Sequence, residues 1–213
     1  MNQKSLLIVE SPTKVKTIQQ HLGKEYDVIS CVGHVKDLPK NDLGIDLEND
    51  FKIKLAVLPD KKDFIAELRK KSKTADRVLV ATDPDREGEA IASHLATEIP
   101  EEKLDRVQFT EITKAGINEG INNVRDINHD LVAAQTARRV IDRLVGYKVS
   151  PVLWATLQSN MNFVSTNLSA GRVQSAAVKM IVDQDRLRAK FISTNYFDLK
   201  ADLTKINLSL IHI

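Results

Sequence analysis

The segment from Val78 to Ala90, VLVATDPDREGEA, constrains the fold more than any other stretch of the chain. Its apolar start, its acidic middle and the apolar-periodic residues that follow predict a buried strand, a loop and a helix. Asp83, Asp85 and Glu87 occupy alternate positions, which point the same way in an extended segment, so the three carboxylates could converge. Close carboxylates repel one another unless a cation lies between them, and Mg²⁺ prefers oxygen ligands. The alternative is an acidic surface turn that caps a helix, because Asp and Glu favour helix N-termini anyway.

Strands alternate with helices over residues 4–122. This alternation predicts an α/β fold with a mostly parallel sheet. The predicted strands cover residues 5–10, 26–32, 51–59, 77–82 and 107–110, and the predicted helices cover residues 12–23, 60–73, 87–97 and 113–121.

Three further residues are candidates for the same site. Glu10 ends the first predicted strand, and ligand sites of open α/β sheets lie at the carboxyl ends of strands. Lys14 lies one turn into the next helix, whose N-terminus attracts phosphate, although a solvated lysine is an equally good interpretation. His34 follows a glycine after the second strand, a pattern typical of a tight turn that exposes the imidazole. A lone histidine is more often structural, so His34 needs other support.

The pattern changes to helices after about residue 128. A helix over residues 129–149 is predicted, and a second helix is predicted to start at Ser150-Pro151. Arg139 and Arg143 share one face of the first helix, with Arg138 and Lys148 nearby. The alternative for Arg138 is a surface pair with Asp142, worth about 0.3–0.5 kcal/mol.

Residues 158–168 are predicted to form a loop, and a further helix opens at residues 169–175. Its first residues are small or polar and suit contact with a phosphate backbone. Val178, Ile181 and Val182 are predicted to form the buried side of this helix.

Composition limits the class of protein. The chain of 213 residues has one cysteine, which excludes an internal disulfide and any Cys-based zinc site. No apolar run reaches the roughly 18 residues that a membrane span needs, and the N-terminus lacks the features of a signal peptide, so we expect a cytoplasmic setting. Residues 1–127 hold 20 Lys and Arg against 23 Asp and Glu, whereas residues 128–213 hold 11 against 6. This asymmetry fits a metal site beside a nucleic-acid surface, but it is too small to decide alone.

Six ordered segments together resemble the bacterial type IA DNA topoisomerases of the topoisomerase I group. The matching segments are LLIVESPTKVKTI, VGHVKDLP, VLVATDPDREGEAIASHL, FTEIT, QTARRVIDRLVGYKVSPVLW and LSAGRVQS. The resemblance implies a Toprim domain over residues 1–127. It also implies that residues 128–213 begin the type IA catalytic region, a mostly helical DNA-binding domain that would be incomplete here.

The resemblance also implies roles for individual residues. Glu10, Asp83, Asp85 and Glu87 match the family's Mg²⁺ cluster, Lys14 matches the lysine at the scissile phosphate, and His34 matches a histidine near the site. The implied DNA-binding residues are His34, Arg138, Arg139, Val140, Arg143, Lys148, Ala155, Ser169, Ala170, Gly171, Arg172, Val173 and Gln174. Val140 and Ala155 could offer only backbone or packing contacts.

The implied reaction starts when a tyrosine attacks a phosphodiester of single-stranded DNA. A 5′-phosphotyrosyl link forms, strand passage and religation follow, and negatively supercoiled DNA is relaxed without ATP. We expect a monomer that binds DNA and no membrane.

One family segment is missing. The nucleophile of the family lies in a Tyr-x-Arg-Thr-Asp-Ser segment, and none of Tyr26, Tyr147 and Tyr196 is followed by that pattern. We therefore expect a fragment that is inactive alone, and the ending NLSLIHI does not resemble the family. The alternatives are another Toprim enzyme, such as a primase or a nuclease, or a fragment that only binds single-stranded DNA.

Overall fold

The computed structural model describes residues 4–158 and 168–202. Its strands are β1 (Ser5–Val9), β2 (Tyr26–Ser30), β3 (Lys36–Asp37), β4 (Ile45–Asp46), β5 (Lys52–Ile53), β6 (Ala56–Val57), β7 (Val78–Ala81) and β8 (Leu104–Arg106). Its helices are α1 (Pro12–Leu22), α2 (Lys62–Thr74), α3 (Arg86–Ala96), α4 (Lys114–Asn122), α5 (His129–Gln158) and α6 (Arg172–Lys190). None of the helices among these residues is long and apolar enough to cross a membrane.

A four-stranded sheet in the order β2-β1-β7-β8 forms the centre of the larger part of the chain. All three strand pairings are parallel, and Ile8 of β1 lies between Ile29 of β2 and Val80 of β7. The carboxyl ends of β1 and β7 therefore meet at one edge of the sheet. The prediction of an α/β fold with a parallel sheet is confirmed.

Helices cover both faces of this sheet because β1 and β7 are apolar on both sides. Leu6, Ile8, Val78 and Val80 pack with residues of α2 and α3 in one buried cluster. Leu7, Val9 and Leu79 pack with residues of α1 and α4 in a second cluster. The two layers hold β1 and β7, and with them the loops that follow these strands, in fixed positions.

Helix α5 packs along α3 and against the segment between β3 and β5. Val140 is 8% exposed and shares a small apolar cluster with Leu38 and Ile45. The mostly helical character predicted after residue 128 is confirmed.

The contacts divide the chain into two units, Met1–Gly171 and Arg172–Ile213. Within the second unit, α6 carries an internal Lys179–Asp183 ion pair. The prediction that Val178, Ile181 and Val182 form a buried side is wrong for the described residues, since their exposed fractions are 58%, 64% and 38%. A helix buries an apolar face only where another layer lies on it, and no described residue covers this one.

Two predicted strands differ from the strands of the structure. The predicted strand at residues 107–110 is wrong, because β8 ends at Arg106. Its partner β7 ends at Ala81, and the last hydrogen bond between them runs from the Val107 N–H to the Val80 carbonyl. The predicted strand at residues 51–59 is two short strands, β5 and β6, in different antiparallel pairs.

The predicted helix break at Ser150-Pro151 is also wrong. Helix α5 runs for 30 residues with Pro151 inside it, so the lost backbone hydrogen bond is offset by the rest of the helix. Ser150 next to it is buried and accepts a hydrogen bond from the Ala170 N–H. Most of the loop predicted at residues 158–168 lies outside the described residues.

Candidate metal centre and nucleic-acid interface

Several carboxylate side chains lie at the sheet edge where β1 and β7 end. Glu10 directly follows β1, and Asp83 lies two residues beyond the end of β7. Lys14, in the first turn of α1, donates a hydrogen bond from Nζ to Oδ1 of Asp83 at 2.7 Å. The fold therefore brings Lys14 and the acidic loop together across 69 positions of sequence.

The negative charges of the loop change the pKa of Glu10. Burial raises the pKa of the Glu10 carboxyl, and the nearby charges of Asp83 and Asp85 raise it further, against the opposing effect of Lys14 and His34. The Glu10 carboxylate is thus close enough to Asp83 and Asp85 to be repelled by both. A cation among them would relieve this repulsion.

Asp85 and Glu87 have other partners. The Oδ1 atom of Asp85 accepts a hydrogen bond from the Gly88 N–H at 2.8 Å, so Asp85 is the N-cap of α3. Glu87 lies inside α3, where its Oε2 is 3.1 Å from Nε2 of His34 and accepts from Nε2 of Gln135 at 3.2 Å. The expected alternation of three carboxylates ends at Asp85, because the segment becomes helical there. Asp85 therefore caps a helix, as the capping interpretation expected, and the metal site stays a prediction.

No group of three or more His, Cys, Asp or Glu side chains is arranged to hold a metal ion within residues 4–158 and 168–202. The donor chemistry nevertheless fits a hard divalent cation, because Glu10, Asp83 and Asp85 offer only carboxylate oxygens. Mg²⁺ keeps several of its waters and is commonly bound through one or two carboxylates, so it does not need three ready ligands.

His34 is presented by a strained turn. Val32 has φ of 53° and Gly33 has φ of 83°, and such values are unusual for the β-branched Val32. The Glu10 carbonyl accepts hydrogen bonds from the Val32 N–H at 3.0 Å and from the Ser30 hydroxyl at 2.8 Å. The turn that carries His34 is therefore anchored on the main-chain carbonyl of Glu10.

A cavity of about 230 Å³ lies beside His34 and Glu87. Its wall includes His94, whose ring centroid is 6.0 Å from that of His34, and Gln135 and Arg139 of α5. The cavity is lined by both acidic and basic residues, and its wall includes Glu87 and residues of α5.

Arg139 and Arg143 lie on one face of α5, as expected, but their partners are within the protein. Arg139 forms a two-pronged ion pair with Asp37, with Nε to Oδ1 at 2.8 Å. Hydrogen bonds from Arg139 and from the Leu38 N–H, together with the charge of Arg139, hold the pKa of Asp37 below its usual range despite burial. These contacts attach α5 to Asp37, the last residue of β3.

Arg143 makes similar contacts one turn later. Its Nη1 donates to the Pro39 carbonyl at 2.8 Å, and its guanidinium lies 4.9 Å above the Tyr147 ring. The Tyr147 hydroxyl donates to the Lys40 carbonyl at 2.6 Å. Arg143 and Tyr147 thus hold the residues that directly follow β3.

The other candidate DNA-binding residues are dispersed. Lys148 and Ala155 lie on exposed parts of α5, and Arg138 is half-buried with Nε 3.9 Å from Asp142. Ser169 is exposed, and Ala170 donates its N–H to Ser150 Oγ at 2.9 Å. The remaining candidates are Gly171, which ends the first unit, and Arg172, Val173 and Gln174, which are exposed in the first turn of α6.

Sequence reasoning missed a set of residues behind the site. Glu89 and Arg106 are buried polar residues, and Asp37 and Gln135 are contacts of Arg139 and Glu87. One signal was available: Glu89 stands among the apolar residues of α3, where a charge requires a buried partner. The identity of that partner was not readable from the sequence.

Two family models match the chain. A Toprim domain model matches residues 5–113, and a DNA topoisomerase model matches residues 126–211. The chain is also similar to the crystal structure of full-length topoisomerase I from Thermotoga maritima, with 46% identity and a TM-score of 0.76. That match covers 88% of this chain and 31% of the Thermotoga chain, so this chain spans about a third of the length of the protein it matches.

The Toprim match covers half of the chain, lies on the parallel sheet described above, and is followed by the topoisomerase match on α5 and beyond. A Toprim domain is a metal-binding fold. The chain belongs to the type IA topoisomerase family.

Proposed function

We propose that this chain serves in a type IA topoisomerase that relaxes negatively supercoiled DNA without ATP. In this reaction a tyrosine attacks a phosphodiester of a single-stranded segment, a 5′-phosphotyrosyl link forms, another strand passes, and the break is resealed. The observation that carries the proposal is the meeting of Glu10, Lys14 and Asp83 at the carboxyl ends of β1 and β7. Covalent catalysis of this kind keeps the phosphodiester energy in the protein–DNA link.

The residues of this chain would bind and orient the scissile phosphate. Glu10, Asp83 and Asp85, with Glu87 at the edge, would hold Mg²⁺, which supplies charge compensation for phosphate oxygens. Lys14 is paired with Asp83 and lies at the start of α1, so its ammonium can turn to a phosphate oxygen that approaches the same edge. His34 would hold Glu87 in place through their 3.1 Å contact.

We expect DNA contacts from residues of α5 and, separately, from residues at the start of α6. On α5, Lys148 and Arg138 are the best candidates for phosphate contacts, whereas Arg139, Arg143 and Val140 would support the surface through their internal contacts. Ala155 and Ser169 to Gln174 complete the set. We further propose a domain boundary near residue 127, a cytoplasmic monomer, and Mg²⁺ as the ion. The topoisomerase match over residues 126–211 does not favour a primase or nuclease.

The 213-residue chain contains no Tyr-x-Arg-Thr-Asp-Ser segment, so we expect it to be inactive alone. Negatively supercoiled plasmid and a labelled single-stranded oligonucleotide would be incubated with the chain and Mg²⁺. We expect no relaxation and no covalent protein–DNA adduct on a denaturing gel. Full-length Thermotoga maritima topoisomerase I is the positive control. An adduct formed by this chain would show that another residue is the nucleophile.

The DNA and metal parts of the proposal are tested separately. Two results together would show that the chain only binds DNA. The first is single-stranded DNA binding that does not change when Asp83→Asn and Asp85→Asn are combined. The second is that the unsubstituted chain binds no Mn²⁺. Mn²⁺ binding that those two substitutions abolish would support the metal site.

A further inference from the structure

A buried ion pair lies directly behind the acidic loop. The side chains of Glu89 and Arg106 are 0% and 1% exposed. Oε1 of Glu89 accepts hydrogen bonds from Nε of Arg106 at 3.1 Å and from Nη2 at 2.8 Å. Burying two charges costs several kcal/mol per ion, and such a pair is often no more stabilising than apolar residues of the same volume. Stability alone therefore does not account for this pair.

The rest of the Arg106 guanidinium is bonded to the main chain around the site. Nη1 donates to the carbonyls of Val80 at 3.1 Å and Val107 at 2.6 Å. Nη2 donates to the Asp83 carbonyl at 3.2 Å. Arg106 thus connects the end of β7 to the residue that carries the first carboxylate of the loop.

The start of α3 holds the same residue from the other side. A Cβ atom added to Gly88 would lie 2.0 Å from the Asp83 carbonyl oxygen, so only glycine allows this approach. The Thr82 hydroxyl donates to the Gly88 carbonyl at 2.7 Å. Both Arg106 and Gly88 therefore lie against the Asp83 main-chain carbonyl.

Glu89 in turn is fully hydrogen-bonded. Besides Arg106, it accepts from Nη2 of Arg125 at 2.8 Å and from the Asn128 N–H at 3.0 Å. Although burial acts to raise the pKa of Glu89, these hydrogen bonds and the two arginine charges hold it below its usual range. The contacts of Glu89 with Arg106, Arg125 and Asn128 therefore keep the Arg106 guanidinium in one orientation.

We propose that Arg106, oriented by Glu89, is a positioning residue that fixes the Asp83 main chain and preorganises the acidic loop for a divalent cation. The proposal rests on the proposed metal site. Groups behind metal ligands commonly change metal affinity 10–100-fold when altered, because they orient the ligands.

The first test compares Arg106→Lys with Arg125→Lys in the 213-residue chain. Lysine keeps the charge beside Glu89, but it cannot also reach the Asp83 carbonyl. Arg125 shares the Glu89 contact and does not contact Asp83, so it is the matched control. In an Mn²⁺ titration followed by electron paramagnetic resonance, with Mg²⁺ competition, we expect 10–100-fold weaker binding for Arg106→Lys and a change of less than twofold for Arg125→Lys. Equal effects of the two substitutions, or none, would overturn the proposal.

A second pair of substitutions disturbs the loop from its other side. Gly88→Ala should displace Asp83 and weaken Mn²⁺ binding at least tenfold. Gly146→Ala in α5 is the control, because the added Cβ would meet nothing closer than the Ala170 carbonyl at 4.0 Å. Unchanged Mn²⁺ affinity in a folded Gly88→Ala chain would contradict a fixed Asp83 main chain.

A measurement on the unsubstituted chain decides the case if the variants do not fold. In metal-free protein, the amides of Gly88 and Glu89 should exchange with deuterium as slowly as those of β7. Exchange within seconds would show that the loop is not preorganised and would overturn the proposal. If the unsubstituted chain binds no Mn²⁺, the proposed metal function fails, while the exchange result still decides whether Arg106 and Glu89 hold the loop.

Discussion

At the scale of single residues, His94 shows how burial lowers the pKa of an imidazole. Its Nδ1 is buried and has no hydrogen-bond partner among the described residues. Burial, followed by the nearby charges of His34 and Lys36, lowers the pKa of His94 to about 4. The folded protein therefore keeps this imidazole neutral at a pH where the unfolded chain, with a pKa of 6.5, is already protonated.

This difference predicts a pH-dependent stability. The contribution of His94 is complete above pH 6.5 and is lost as pH falls towards 4, because the unfolded state binds a proton that the folded state does not. From this group alone we expect the free energy of unfolding to be roughly 2 kcal/mol lower at pH 5 than at pH 7. Urea unfolding at both pH values measures it. His94→Gln should remove this part of the loss, and the exposed His129→Gln should not. If the free energy of unfolding depends equally on pH in both variants, His94 is not the source of the loss.

The acidic loop shows which residue properties were readable from sequence. Asp85 follows an apolar strand and precedes a helix, and both the cap and the loop were predictable from that local pattern. The pairing of Asp83 with Lys14 was not, because it joins residues that are 69 positions apart.

At the scale of elements, α5 depends on two arginines for its attachment. Arg139 bonds to Asp37, and Arg143 bonds to the carbonyls of Leu38 and Pro39, so one face of the helix is held by charge as well as by Val140. A basic helix face usually indicates solvent or a nucleic acid. Here the polar segment after β3 lies opposite, which no periodicity in α5 could reveal.

This attachment predicts different effects for neighbouring arginines. Arg139→Ala should lower the free energy of unfolding by about 1–2 kcal/mol, because the half-buried Asp37 loses its charged partner. Arg138→Ala should change it by less than about 0.5 kcal/mol, since its ion pair with Asp142 is long and partly exposed. Urea unfolding followed by circular dichroism compares the two. A larger loss for Arg138→Ala would mean that Arg139 is not what holds α5.

At the scale of the whole molecule, charge is distributed unevenly along the chain. The first 127 residues carry a small acidic excess and the remainder a basic one, within a net charge of +2. Contacts with DNA phosphates release counterions, so binding that uses the basic part must weaken with salt.

The salt dependence can be assigned to a residue. Fluorescence anisotropy with a single-stranded oligonucleotide should give an affinity that falls with salt, with a logarithmic slope of about −0.7 per phosphate contact. Lys148→Gln should make that slope shallower by about 0.7 if Lys148 contacts one phosphate. Lys24→Gln, an exposed lysine in the acidic part, should leave it unchanged. The same slope in all three proteins would exclude Lys148 from the DNA surface.

The sequence by itself determined the parallel α/β sheet, the strand–loop–helix at residues 78–96, and the proximity of Glu10 to the acidic loop. These features follow from local periodicity and from the rule that parallel strands end at one edge. Only the tertiary structure decided that Arg139 and Arg143 bond to other residues of the protein. It also decided that α5 continues through Pro151 and that Glu89 and Arg106 form a buried pair behind Asp83. Periodicity shows which face of an element is apolar, but not what lies opposite it, and the Arg139–Asp37 pair spans 102 positions of sequence.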